Sequence, residues 1–211
     1  MQGEAESDRD VDVRPAPSGC DDNAADAGFD RDILSNLLAH GQAEAQRLNV
    51  RASERLGLTS DQWVAMQLYL GKSSSDLPVE DATGPTDVDE EELMVRELLM
   101  RHRSIPGEIG VWLSCIIARR GMEPNHLWED LGLALRPDLS RLMDRHFHEL
   151  AAKNTRNMRW KRFLYRALCE EEGFSMCPSP TCDACSEFQI CYSTEPGEAV
   201  LVLNKKQIAA E

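Results

Sequence analysis

From Ile109 to Ala118 the chain is apolar at almost every position, broken only by Gly110 and Ser114. A helix without a polar face must be wrapped on all sides. At this length it is far too short for a bilayer, which takes about 20 apolar residues. The stretch therefore predicts a buried central helix, opened by Pro106 and closed by Gly121. The rest of the chain has to supply its wrapping.

The periodicity supplies it. Ile33, Leu34, Leu37 and Leu38 repeat at helical spacing, with Asp30 near the expected N-cap. Thr59 and Ser60 can cap a second helix bearing Trp63, Val64, Met66 and Leu70. The acidic run from Asp87 to Glu92 suits the positive end of a third, with Val95, Leu98 and Leu99 on one face. After the central helix and a short turn at Leu127 to Leu133, a stripe of Leu139, Leu142, Met143, His146, Phe147 and Leu150 predicts one helix from near Pro137. Trp160, Phe163, Leu164, Ala167 and Leu168 predict another over Thr155 to Glu172. Only Ala199 to Leu203 resembles a strand. The expectation is an all-α domain of about six helices with a C-terminal four-cysteine cluster-binding loop.

The boundaries follow from composition. Residues 1–27 carry Pro, Gly and many Asp with few large apolar side chains, and are expected to be a disordered acidic segment. Residues 28–172 form the helical domain, interrupted by a long flexible loop at 71–87. Residues 173–195 are the cysteine-rich loop and 196–211 a tail. The acidic start has no apolar leader pattern, so a cytoplasmic protein is expected, with no membrane association. The net charge is −14, from 37 acidic and 23 basic residues, which weighs against nucleic acid as the partner.

Seven cysteines in a reducing compartment point to metal or redox chemistry rather than a disulfide framework. Four of them, Cys177, Cys182, Cys185 and Cys191, lie within 15 residues with the spacing C-x4-C-x2-C-x5-C. One compact set of four thiolates suits the corners of an iron–sulfur cluster. Zinc remains open, although structural zinc sites more often use two well-separated knuckles. Pro178 and Pro180 keep the chain between the first two cysteines from becoming helical. Cys115 reads as a buried small hydrophobe. Cys169 reads as core, with a role as an extra ligand as the alternative. Cys20 falls in the acidic segment, where no role is expected.

Between Arg141 and Arg166 eight basic residues face only Asp144 and Glu149, a local charge of +6. Arg159, Arg162 and Arg166 share a helical face opposite the apolar stripe. They read either as an oxyanion or partner surface or as a solvated face. His146 lies in an apolar stripe and reads as a core histidine, with metal ligation as the alternative. His148 falls off that stripe and is expected to be exposed.

The cysteine spacing, the stretch Asn154-Thr155-Arg156-Asn157-Met158-Arg159-Trp160-Lys161-Arg162-Phe163 and the stretch Leu127-Trp128-Glu129-Asp130-Leu131-Gly132 together resemble the NifQ family of nitrogen-fixation proteins. The likeness covers roughly Ile105 to Tyr192. It implies a protein that carries a molybdenum–iron–sulfur cluster on Cys177, Cys182, Cys185 and Cys191. Such a protein supplies molybdenum for the nitrogenase iron–molybdenum cofactor, with the NifEN scaffold and the NifH iron protein as partners. On this reading molybdate is the source of the metal, and the protein is a carrier rather than an enzyme. Two rivals stand beside it. Helix-hairpin-helix DNA glycosylases end in a similar iron–sulfur loop, and Ser104 to Gly110 looks like their hairpin. Their first cysteine spacer is longer, however, and no catalytic Lys and Asp stand in matching context. The second rival is a zinc-stabilised interaction domain. Phosphate-binding glycine loops, G-x-S-x-G and H-E-x-x-H are absent from the chain.

Overall fold

The computed structural model describes residues 21–73 and 88–172. Among these residues every regular element is a helix: α1 (Asp21–Leu48), α2 (Ala52–Arg55), α3 (Ser60–Tyr69), α4 (Glu90–Arg101), α5 (Glu108–Gly121), α6 (Leu127–Asp130), α7 (Arg136–His146), α8 (His148–Lys153) and α9 (Trp160–Glu172). The all-α expectation holds for this part of the chain. The six longer helices are the ones expected from periodicity; α2 is a short addition, α6 falls on the expected turn at Leu127 to Leu133, and α8 takes up the end of the stripe expected to run on to Leu150. Most of the loop expected at 71–87, the strand-like stretch at Ala199 to Leu203, the four-cysteine loop and the tail lie outside the described residues.

The apolar run is indeed the centre. Trp112, Leu113, Ile116, Ile117 and Ala118 of α5 are buried, and α5 packs against α3, α4 and α6. Around it stand Leu34 and Leu37 of α1, Trp63 and Met66 of α3, Leu98 and Leu99 of α4, Leu142 of α7 and Leu164 of α9, all in one core. Cys115 is buried within that core, as expected, and burial pushes its thiol above its usual value.

The caps explain several boundaries. Thr59 accepts from the Gln62 amide at 3.2 Å while Gln62 accepts from the Thr59 amide at 3.0 Å, a reciprocal capping box that starts α3 where the sequence indicated. Asp89 caps α4 by accepting from the Glu91 amide at 2.8 Å. The acidic run beyond it is not all solvated. Glu92 is fully buried and sits between Arg96, 2.5 Å away, and Arg119, 3.3 Å away.

Four expectations need correction. Helix α1 begins at Asp21, so the last residues of the segment expected to be disordered are helical. Asp30 is therefore not an N-cap; it lies inside α1 and is buried against α7. The single helix expected from Pro137 through Leu150 is two. Ser104 accepts from the His148 amide at 2.6 Å and donates its own amide to the His146 carbonyl at 2.8 Å, which takes up backbone groups at the junction and leaves Phe147 outside both helices. Finally, α9 starts at Trp160 rather than Thr155. Asn154 clamps Met158 through both its side-chain groups, at 2.8 and 3.1 Å, and holds residues 154–158 in a turn.

Asp30 forms the hinge between the first helix and the seventh. It accepts from Arg145 through both oxygens at 2.8 Å and from His146 Nε2 at 2.8 Å, with Asp26 also 2.7 Å from Arg145. A ring nitrogen facing a carboxylate must carry the proton, so His146 donates through Nε2. Burial pulls His146 below its ordinary value, against the pull of Asp30. Burial pushes Asp30 up, but the bonds and charges of Arg145 and His146 leave it below its ordinary value. The unfolded chain therefore takes up a proton at His146 that the fold does not accept, and stability should fall as pH drops below about 6.5. The slope from this site is at most about 1.4 kcal/mol per pH unit. Urea titrations between pH 7.5 and 5 should show the slope in the natural chain and lose it in His146→Gln.

A candidate functional site at helix α9

Helix α9 is the last described element before the cysteine segment in the chain, and it is tied down at both ends. At its start, Lys161 is buried and its ammonium donates to Asp130 Oδ2 of α6 at 2.7 Å and to the Glu123 carbonyl. Burial pulls Lys161 below its ordinary value, with Asp130 holding the charge in place. At the far end, Glu171 accepts from Arg101 at 2.8 Å and lies 2.8 Å from His102 Nε2, tying α9 to the end of α4. The hydrogen bond with His102, ahead of the cost of burial, holds the Glu171 carboxyl below its ordinary value. The last fixed turn of α9 thus stands six residues before Cys177 in the chain.

The two stretches that carry the sequence likeness meet in space through the Lys161–Asp130 pair. In the first of them, Glu129 accepts from the His126 amide at 2.9 Å and starts α6. Gly132 follows with φ at +68°, the left-handed region in which glycine is the least strained residue. In the second, Asn157 takes a positive φ of 49°, which Asn tolerates better than most residues. Arg136 reaches across to the Asn157 carbonyl and side chain at 3.0 and 2.9 Å. The turn before α9 is thereby pinned from within by Asn154 and from outside by Arg136.

Beside that turn lies a cleft of about 130 Å³. Lys153, Asn154, Thr155, Arg156, Arg166 and Glu170 supply its polar lining, with Phe163 and Ala167 as an apolar wall. Arg166 donates to Glu170 at 2.9 Å, and Lys153 stands 3.7 Å from Glu171.

The residues expected to form one basic face are separated. Arg166 lines the cleft, whereas Arg159 is half-buried and does not line it. Arg162 is only 7% exposed, so the face opposite the apolar stripe of α9 is not solvated throughout. An amphipathic stripe identifies which side meets the core, but it does not require the other side to meet water. His146 is committed through Nε2 to Asp30. Its Nδ1 has no hydrogen-bond partner among the described residues. Cys169 is buried on α9, and His148 is exposed and paired with Asp144 at 3.0 Å. Among the described residues no group of three or more His, Cys, Asp or Glu side chains is arranged to hold a metal. Cys177, Cys182, Cys185 and Cys191 lie outside them. Sequence reasoning placed Lys153 and Arg156 in the basic band but did not single them out. Arg156 already stood within the Asn154 to Phe163 stretch, which was the available signal.

Among the described residues no helix is long and apolar enough to cross a membrane. No solved structure matches the chain significantly. Among curated proteins, the chain is similar to a protein NifQ homolog of Sinorhizobium fredii (strain NBRC 101917 / NGR234), 35% identical over 84% of this chain and 77% of that one. It is also similar to protein NifQ of Rhodobacter capsulatus, 36% identical over 78% of this chain and 90% of that one. Protein NifQ of Azotobacter vinelandii is 41% identical over 50% of this chain and 53% of its own length. The NifQ family model matches residues 33–193, a span that takes in every described helix from within α1 onward and all four clustered cysteines, and the chain belongs to the NifQ family.

Proposed function

We propose that this protein binds an iron–sulfur cluster containing molybdenum through Cys177, Cys182, Cys185 and Cys191, and that it supplies molybdenum for the iron–molybdenum cofactor of nitrogenase. The observation that carries the reading is the set of four thiols within 15 residues, inside the span that matches the family. Thiolates are soft donors that suit iron–sulfur clusters, and one compact run can supply every protein ligand. The cluster is cargo on this reading: it is assembled here and handed on, and the protein is a carrier rather than an enzyme. The receiving partners are the NifEN scaffold with the NifH iron protein, and the compartment is the cytoplasm. The anchoring of α9 at Asp130 and Glu171 supports the reading, because a firm base lets the following segment present cargo without disturbing the fold.

The test is elemental. Protein purified without oxygen should hold iron, sulfide and molybdenum, with an EPR signal from the cluster. Cys182→Ala should lose most of the iron and molybdenum while the helical circular dichroism stays unchanged. Zinc in place of iron, under strict exclusion of oxygen, would turn the reading toward a zinc-stabilised interaction domain. Iron and sulfide without molybdenum, from cells supplied with molybdate, would leave an iron–sulfur protein and favour the glycosylase-like alternative.

A further inference from the structure

The first turns of α1 cover part of the basic band. Ala25, Ala27 and Gly28 are exposed there, and Asp26 is the side chain that ties this stretch to its neighbour. Its carboxylate lies 2.7 Å from Arg145 Nη1 and 3.5 Å from Arg141 Nη2, between two guanidinium groups one helical turn apart on α7. Both guanidinium groups are held in place without it. Asp30 grips Arg145 through Nε and Nη2, and Arg141 stacks on Phe29, 4.0 Å from the ring centroid. Asp30 and Phe29 belong to the part of α1 that joins the core: Asp30 is buried, and Phe29 packs against the apolar cluster. Gly28 stands between that anchored part and Asp26. A Cβ placed on Gly28 would meet nothing within 4 Å, so packing does not ask for glycine here. Its effect falls on the helix itself, where glycine in place of alanine lowers the local helical equilibrium by a factor of about five. The ion pairs of Asp26, whose side chain is 37% exposed, are of the kind that water and salt exchange with ease.

We propose that residues 21–28 form a detachable arm, and that its opening at Gly28 presents Arg141 and Arg145 to an acidic segment of a partner protein. Asp26 shows the chemistry that the face accepts: a carboxylate carried on a helix. With the arm open, Arg145 offers Nη1 while Asp30 keeps the rest of its fork. The face is therefore preorganised, which lowers the ordering cost of docking. The partner competes with Asp26, so the arm reduces the apparent affinity by the fraction of time it is closed. Neither the arm nor the face depends on the cluster-carrying reading.

Two measurements on the full chain, purified without oxygen, test this. In hydrogen exchange the amides of residues 25–28 should exchange faster than those of residues 33–38, and Gly28→Ala should slow them by up to about fivefold. In the second, fluorescence anisotropy follows a short labelled alanine-based helical peptide with glutamates one turn apart, at low ionic strength. Asp26→Asn should strengthen binding of this probe by about two- to fivefold, the range for removing an exposed competing ion pair. Gly28→Ala should weaken it by up to about fivefold, because the arm stays closed. Opposite signs from two changes on the same arm distinguish a mask from general attraction or repulsion of charge. In the Asp26→Asn background, Arg141→Gln should take back the gain. Equal protection of residues 25–28 and 33–38 would remove the opening. Equal probe affinity in the natural chain, Asp26→Asn and Gly28→Ala would remove the mask, and an Arg141→Gln change without effect would place the probe elsewhere and overturn the face. A short single-stranded DNA that binds more tightly than the peptide, with the same dependence on Arg141, would overturn an acidic protein segment as the occupant.

Discussion

Replacing Arg120 with methionine should cost the fold about 3–5 kcal/mol, the range for removing one partner of a buried ion pair. Arg120 is 1% exposed, at the end of the central helix. Its guanidinium donates to the Asp130 carbonyl of α6 and pairs with Glu44 of α1 at 2.6 Å, with Glu123 farther off at 3.8 Å. Arg55 of α2 joins the same carboxylates, at 3.2 Å from Glu44 and 2.7 Å from Glu123. Burial pulls Arg120 below its ordinary value, yet a guanidinium stays charged at any working pH. Burial pushes Glu44 up, and Arg120 and Arg55 outweigh it and leave the carboxyl low. Methionine fills much of the volume but leaves Glu44 without its nearest cation, with Arg55 and Arg47 farther off, and the Asp130 carbonyl without its donor. For a chain of this size the expected fall in Tm is roughly 6–20 °C. Arg120→Lys should lose less, since it keeps the charge and gives up the fork. A change below about 1 kcal/mol in urea unfolding would mean that water already shares the network. Since Asp130 also holds Lys161, the same substitution should loosen the start of α9 and, on the proposed cluster-carrying role, lower iron retention.

This network shows what sequence could and could not convey. Helical periodicity located every long helix among the described residues and identified α5 as central, because burial of an all-apolar stretch is decided locally. The ends of helices were less legible where a distant group decides them. Ser104 interrupts the stripe from Leu139 to Leu150 from another part of the chain, and no pattern within the stripe signals it. The late start of α9 was closer to legible, since Asn154 and Asn157 flank a turn that Asn is suited to make. Buried charge was the least legible. Asp30, Glu92, Arg120, Lys161 and Arg162 are all buried, and each would be assigned to solvent on residue type alone. The same limit governed the candidate site. Cysteine spacing is readable from the chain alone, whereas the cleft beside the turn at Asn154 depends on a loop and a helix face meeting. Arg166 came through as one of three arginines on a face, and only the fold separated it from Arg162.

Gly132→Ala should be nearly as damaging as the loss of Arg120, and for a different reason. Gly132 ends the Leu127 to Gly132 stretch with φ at +68°. A Cβ placed there would stand 2.4 Å from His40 Cγ and 2.6 Å from His40 Cβ, in α1. The atoms in the way include the root of the His40 side chain, so rotation of the ring alone cannot clear them. Two penalties combine: overpacking at about 1–3 kcal/mol and left-handed backbone strain at about 1 kcal/mol. A second substitution separates them. His40→Gly in the Gly132→Ala background should recover the overpacking share and leave the strain, a coupling visible in a double-mutant cycle. Full recovery would mean that the backbone carries no strain at this position; no recovery would mean that α1 does not approach so closely. The position also bears on function. The turn after α6 keeps Asp130 where it meets both Arg120 and Lys161, so a shift there passes to the start of α9. Gly132→Ala should therefore speed amide hydrogen exchange in the first turn of α9, and His40→Gly should restore part of that protection along with part of the stability.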